Sequence, residues 1–149
     1  MPLRTQFDHE KLEAYQLQLL FIGWFTDLCE ELRDSKPRRI AETLDQLDRS
    51  SLSVLLNMAE GNGRRPSRQR VRFFDDARGS ATECAACLDA LVSKRAAHAE
   101  RVVEGKTLLL RVVSILCKLI ARFEQMQDGA EKPESSSRSR SRITRTSPP

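Results

Sequence analysis

The stretch AEGNGRRPSRQRVRFF, Ala59 to Phe74, decides the fold. Five arginines fall within nine residues (Arg64, Arg65, Arg68, Arg70 and Arg72), with no acid among them. Two readings compete for it. One is a glycine-rich phosphate loop after a strand, and the other is a turn between two helices. No strand pattern precedes it, and the lysine–serine pair of a Walker loop is missing. Gly61–Gly63 instead reads as a helix C-terminal signal with Pro66 just beyond. Ser67 then reads as the N-cap of the next helix.

Outward from this turn, apolar residues recur at helical spacing on both sides. Upstream, Ile40, Leu44, Leu47, Ser51, Val54, Leu55 and Met58 predict a helix over 39–62. Downstream, Phe74, Ala77, Ala81, Cys84, Leu88 and Leu91 predict one over 67–95. Leu17, Phe21, Trp24, Leu28 and Leu32 predict a first helix over 8–34, closed by Ser35 and Pro37. Leu109, Val113, Leu116, Ile120 and Phe123, flanked by Val102, Val112 and Cys117, predict a fourth over 98–127. Steps that alternate between three and four form the seam of left-handed helix packing. Short turns between long helices make antiparallel neighbours, so residues 1–128 read as an all-α, up-down-up-down four-helix bundle. Helix one also offers Leu12, Tyr15, Leu19, Leu20, Ile22, Trp24 and Phe25. That is more apolar surface than one core hides, which predicts a homo-oligomer.

Charge separates body from tail. The chain carries 25 basic and 21 acidic residues, net +4. Residues 129–149, GAEKPESSSRSRSRITRTSPP, hold Lys132, Arg138, Arg140, Arg142 and Arg145 against Glu131 and Glu134, which leaves the body near neutral. This Ser/Arg tail has almost no apolar content and is expected to be disordered. It reads as a solubilising tail, an RNA contact or a phosphate acceptor. A polar N-terminus and the lack of an apolar run near the roughly 20 residues of a membrane span predict a cytoplasmic, reduced setting with no membrane contact. Cys84 and Cys87 form a C-x-x-C, but zinc needs two further ligands, and the only histidines are His9 and His98. The two cysteines share a helix face with Leu88 and Leu91, so they read as small core residues. No metal or cofactor is expected. Nor is an enzyme: there is no Ser-His-Asp set, no H-E-x-x-H and no paired Glu-x-x-His.

The arginines keep two readings. Arg64 and Arg65 suit the C-terminus of helix two. Arg68, Arg70 and Arg72 occupy the first turns of helix three, where the helix dipole disfavours cations by about 0.3–1 kcal/mol each. Helix N-terminal amides among arginines make a phosphate contact surface. The other reading is plain solvated charge, with Asp75 and Asp76 near enough to pair with some of them. In an up-down bundle Arg4, this turn, Arg122 and the tail gather at one pole. Arg33, Lys36, Arg38, Arg39, Lys94, Arg95 and Arg101 gather at the other. Folding helices two and three about the turn sets RSSLS (Arg49–Ser53) against GSATE (Gly79–Glu83). Mid-helix Gly79 then predicts a close crossing. Arg49–Glu83 and Glu60–Arg78 are candidate ion pairs, within a subunit or between subunits.

Three segments carry a family resemblance: FDHEKLEAYQLQLLFI (Phe7–Ile22), RSSLSVLLNMAEGNGR (Arg49–Arg64) and RFFDDARGSATECAACLDAL (Arg72–Leu91). The motifs are N-x-A-E-G-x-G-R at Asn57, Ala59, Glu60, Gly61, Gly63 and Arg64, and A-R-G-S-x-x-E at Ala77, Arg78, Gly79, Ser80 and Glu83. Together they resemble the bacterial four-helix-bundle proteins, also called 23S ribosomal RNA intervening-sequence proteins, over about residues 7–125. The resemblance implies a barrel-like homopentamer without known enzymatic activity. It also implies kinship with the accessory variability determinant of diversity-generating retroelements, which works with a reverse transcriptase and binds nucleic acid. The expected function is therefore a non-enzymatic scaffold that binds RNA or DNA through Arg64, Arg65, Arg68, Arg70 and Arg72, with a reverse transcriptase as a candidate partner. The alternative is a protein-interaction module that does not touch nucleic acid.

Overall fold

The computed structural model describes residues 6–34 and 40–130. A 3-10 turn at Asp8–Lys11 precedes α1 (Glu13–Arg33), α2 (Ala41–Gly63), α3 (Arg68–Ser93) and α4 (Ala99–Ala130). The described residues contain no strand. Arg4, Ser35, Lys36, Pro37, Arg38, Arg39 and the tail from Glu131 lie outside them. The first helix starts later than its periodicity suggests, because Leu12 takes an extended conformation (ψ 125°) between the 3-10 turn and α1. α4 runs through Gly129 to Ala130.

The helices bury one stripe each. Phe21, Leu28, Leu47, Val54, Met58, Phe74, Leu88, Leu91, Val112 and Leu116 are fully buried in one core. Full burial of such a side chain contributes about 1.5–3 kcal/mol. All six positions expected of α3 are buried. On α4 the stripe is Val102, Gly105, Leu109, Val112 and Leu116, so Val112 is buried where Val113 is only half-buried, and Cys117 is exposed. Two adjacent valines make that choice invisible to periodicity alone. On α1, Trp24 is buried as its seam position predicts, and its second reading as surplus apolar surface fails along with that of Phe25, since both lie in the chain's own core. Leu19 and Leu20 remain exposed.

Trp24 reaches the core through a gap in α4. Gly105 leaves room for its ring, and Arg101 covers the ring at 5.3 Å. Arg101 also holds Glu31 with two short hydrogen bonds (2.6 and 2.7 Å), which keeps the Glu31 carboxyl below the usual carboxylate range. Gln18 is a buried polar residue that no apolar pattern reveals. Its Nε2 donates to the Ser51 carbonyl of α2 at 3.0 Å.

The α3–α4 turn closes without glycine. Arg95 adopts a left-handed conformation (φ 59°). Its N–H donates to Val92 O, and the Ala96 N–H donates to Leu91 O. This double bond pattern satisfies the last carbonyls of α3 and normally places glycine at the left-handed site. The left-handed conformation costs a side-chain-bearing residue about 1–2 kcal/mol. Arg95→Gly removes that strain against a smaller gain in unfolded-state entropy. It is expected to raise the thermal midpoint by a few degrees; a lowered midpoint in calorimetry contradicts this account of the turn.

Cys84 and Cys87 lie in the core, as expected of small apolar residues. Burial pushes the Cys84 thiol up to about 12, with Cys87 and Glu83 adding to the shift. The reactive species is the thiolate. Alkylation of the native protein at pH 8 is therefore expected to modify exposed Cys117 first and Cys84 only on unfolding. Rapid native-state labelling of Cys84, read by peptide mass, contradicts its packing.

Candidate nucleic-acid interface

The α2–α3 turn is built by close approach rather than by glycine's freedom to take left-handed backbone. No glycine in the described residues has positive φ. Gly61 is instead pressed against α3: a Cβ there would lie 2.9 Å from Phe73 Cβ and 3.4 Å from the Arg70 carbonyl. Only a residue without a side chain lets the two helices meet so soon after the turn. Ser67 caps α3 as its sequence position suggests, its hydroxyl accepting from the Arg70 N–H at 3.3 Å. The first turn of α3 holds no acid.

The five arginines divide. Arg64 donates to Glu60 at 2.6 Å and to Gln69 at 3.4 Å, and its guanidinium lies 5.2 Å from the Phe73 ring centroid. Arg70 is half-buried, 4.4 Å from the Phe123 ring and 5.9 Å from Phe74, and donates to Asn62 at 3.4 Å. Its Nε is buried with no hydrogen-bond partner among the described residues. Arg70 thus ties the start of α3 to the C-terminal turns of α4. Arg68 is exposed. Arg65 and Arg72 are exposed and make no hydrogen bond or ion pair among the described residues. Asp75, which competed for these cations in the sequence, takes Arg78 instead, through bonds of 2.7 and 2.9 Å.

The small-residue crossing forms, with different partners. Ser53 and Ser80 share a 3.0 Å hydrogen bond, and Asn57 donates to both the Ser53 carbonyl (2.9 Å) and hydroxyl (3.1 Å). Neither expected ion pair closes within the chain. Arg49 donates to Gln46, and Gln46 in turn meets Glu83. Glu60 takes Arg64 four residues on, and Arg78 takes Asp75 three residues back. A partner on the next turn of the same helix is reached without spanning the crossing. Gly79 is exposed, and a Cβ on it would meet nothing within 4 Å, so its smallness serves no contact among the described residues. The described residues contain no cluster of three metal-ligating side chains. None of their helices is long and apolar enough to cross a membrane.

Residues 10–118 match the 23S rRNA-intervening sequence protein family. The chain belongs to this family. No curated protein matches it. In this intervening-sequence protein the two motifs meet across the α2–α3 crossing, where Asn57 and Ser80 share Ser53 as partner; Gly61 of the first motif receives Phe73, four residues before the second. The match ends before the last turns of α4.

Proposed function

We propose that this family member is a non-enzymatic accessory scaffold that assembles with copies of itself and binds RNA or DNA through the α2–α3 turn. Arg65 and Arg72 make the main phosphate contacts, with Arg68 beside them, while Arg64 and Arg70 hold the turn in shape. The observation that carries this reading is the pair of exposed, unpartnered guanidiniums of Arg65 and Arg72 beside the N-terminus of α3. Arg72 works against the dipole of α3, while Arg65 also follows the C-terminus of α2, so the placement of Arg72 is understandable if an anion completes the site.

The bundle is read as up-down-up-down and its assembly as a homopentameric barrel. Contacts along each neighbouring pair support the topology. On α2 and α3, Gly61 faces Phe73, Ser53 faces Ser80 and Thr43 faces Lys94. Asp89 to Lys106 and Phe74 to Phe123 run the same way between α3 and α4, as do Glu13 to Arg111 and Glu31 to Arg101 between α1 and α4. Assembly is supported by apolar surface that the subunit leaves open. Leu20, Leu52, Leu56, Val103 and Leu110 are exposed, and a groove of about 480 Å³ between α3 and α4 is lined by Ala81, Ala85, Leu109, Leu110 and Val113. A ring of copies would repeat the arginine turn about one axis and raise its field. A nucleic-acid enzyme such as a reverse transcriptase suits such a scaffold as partner.

The exposed leucines also favour a second reading, a protein-interaction module in which the arginines only solubilise. Titrating labelled RNA or DNA with the protein at low salt separates the two. Binding that is insensitive to sequence and weakens steeply with salt supports the first. Absence of nucleic-acid binding, with a protein complex that persists at high salt, overturns it in favour of the second.

A further inference from the structure

The N-terminal turn presents an aromatic ring, Phe7, that the core does not use, next to His9 and to Tyr15, which packs partly against the core. Phe7 is 68% exposed. Its ring is stacked on His9 at 5.5 Å with 14° between planes, and His9 meets the Tyr15 ring edge-on at 4.8 Å. The backbone under these rings is pinned. The Phe7 N–H donates to the Glu10 carboxylate at 3.1 Å, the Glu10 N–H returns to the Phe7 carbonyl, and Gln16 Nε2 donates to the Glu10 carbonyl at 3.0 Å. The nearby acids are engaged locally, Asp8 with Lys11 at 3.1 Å and Glu10 with the Phe7 amide. One face of the Phe7 ring is therefore backed by His9, and the ring is left largely open to solvent.

Position gives this surface a use. The 3-10 turn touches α2 as well as α1. Gln18 is level with Ser51, and α1 and α2 run in opposite directions in the topology proposed above, so the rings come level with the last turns of α2. Those turns lead directly into the arginine turn. In that topology a stacking ring and free guanidiniums share one end of the bundle, the combination that single-stranded nucleic acid uses, because every base offers a π-face and every nucleotide a phosphate. In a duplex those faces are already stacked.

We propose that Phe7, backed by His9 and Tyr15, is a stacking platform for an unpaired base of a single-stranded nucleic acid whose phosphates lie on Arg65 and Arg72. This rests on the nucleic-acid reading above and narrows its ligand to single strands. Base–aromatic stacking is worth about 1–3 kcal/mol per base, so its removal weakens binding by roughly 5- to 150-fold.

The test is fluorescence anisotropy at low salt with the full chain, using a labelled single-stranded RNA, a single-stranded DNA of the same sequence and the blunt DNA duplex. Phe7→Ala and Phe7→Leu are both expected to lose affinity for the single strands within that range and to keep the parent's affinity for the duplex. The ratio should be similar for RNA and DNA, because stacking does not read the sugar. Phe7→Trp is expected to retain affinity, with its emission quenched as strand is added over the constant background of buried Trp24. Unchanged single-strand binding in Phe7→Ala, retention in Phe7→Leu, or an equal loss on duplex overturns the platform while leaving the arginine site standing. A parent protein that binds none of the three ligands overturns both.

Discussion

Replacing Gly105 with valine is expected to destabilise the bundle by on the order of 3 kcal/mol. A Cβ at this position would lie 2.6 Å from Trp24 Cε3 and closer still to Cζ3 and Cη2. The ring has little room to withdraw. Phe21 packs 5.6 Å away, and Arg101 lies across it. Overpacking of a core costs about 1–3 kcal/mol, and valine adds two further carbons beyond the clashing Cβ. Helix propensity acts the other way, since glycine in a helix interior costs up to about 1 kcal/mol. The clash is the larger effect and sets the sign; Gly105→Ala should show the same loss at smaller size. Urea unfolding followed through the single tryptophan measures it, with a lower midpoint and a red-shifted native emission. A stability equal to the parent's would mean that the ring yields without strain.

The second large effect concerns binding. Arg65→Ala combined with Arg72→Ala is expected to lower affinity for single-stranded RNA or DNA by roughly 10- to 100-fold at low salt. Hydrogen bonds to charged groups contribute about 1.5–3 kcal/mol, discounted here because both sites face water. Stability should change little, as neither side chain has a partner among the described residues. Arg70→Ala should behave differently. It removes the contacts to Phe123, Phe74 and Asn62, so its primary cost falls on the thermal midpoint. A double variant that binds as tightly as the parent, or an Arg70 variant that loses binding with no loss of stability, contradicts this division of roles.

Much of this architecture is legible in the sequence because helical seams are a periodic signal. The α3 seam from Phe74 to Leu91 and the Ser67 cap follow from spacing and residue type alone. What escapes are choices made between helices. Trp24 lies on the predicted α1 seam, but nothing on α1 announces the glycine 81 positions away that makes room for its ring. The glycines of the α2–α3 turn suggest left-handed backbone, whereas the structure uses Gly61 for the approach of Phe73. The turn that does use left-handed backbone carries Arg95, which gives no sign of it. Of the candidate site, the cluster of arginines is plain in the sequence. Its division is not, because Arg64 and Arg70 are engaged by Glu60, Phe73, Phe74 and Phe123, and side chains from three helices decide that.

The dependence of nucleic-acid affinity on salt tests the central claim most directly. If phosphate contacts at the arginine turn supply the binding, log affinity should fall linearly with log salt, and removing Arg65 and Arg72 should shallow the slope by about 0.7 per lost contact on a single strand. A parent slope near zero, or a slope that the double variant leaves unchanged, would contradict it.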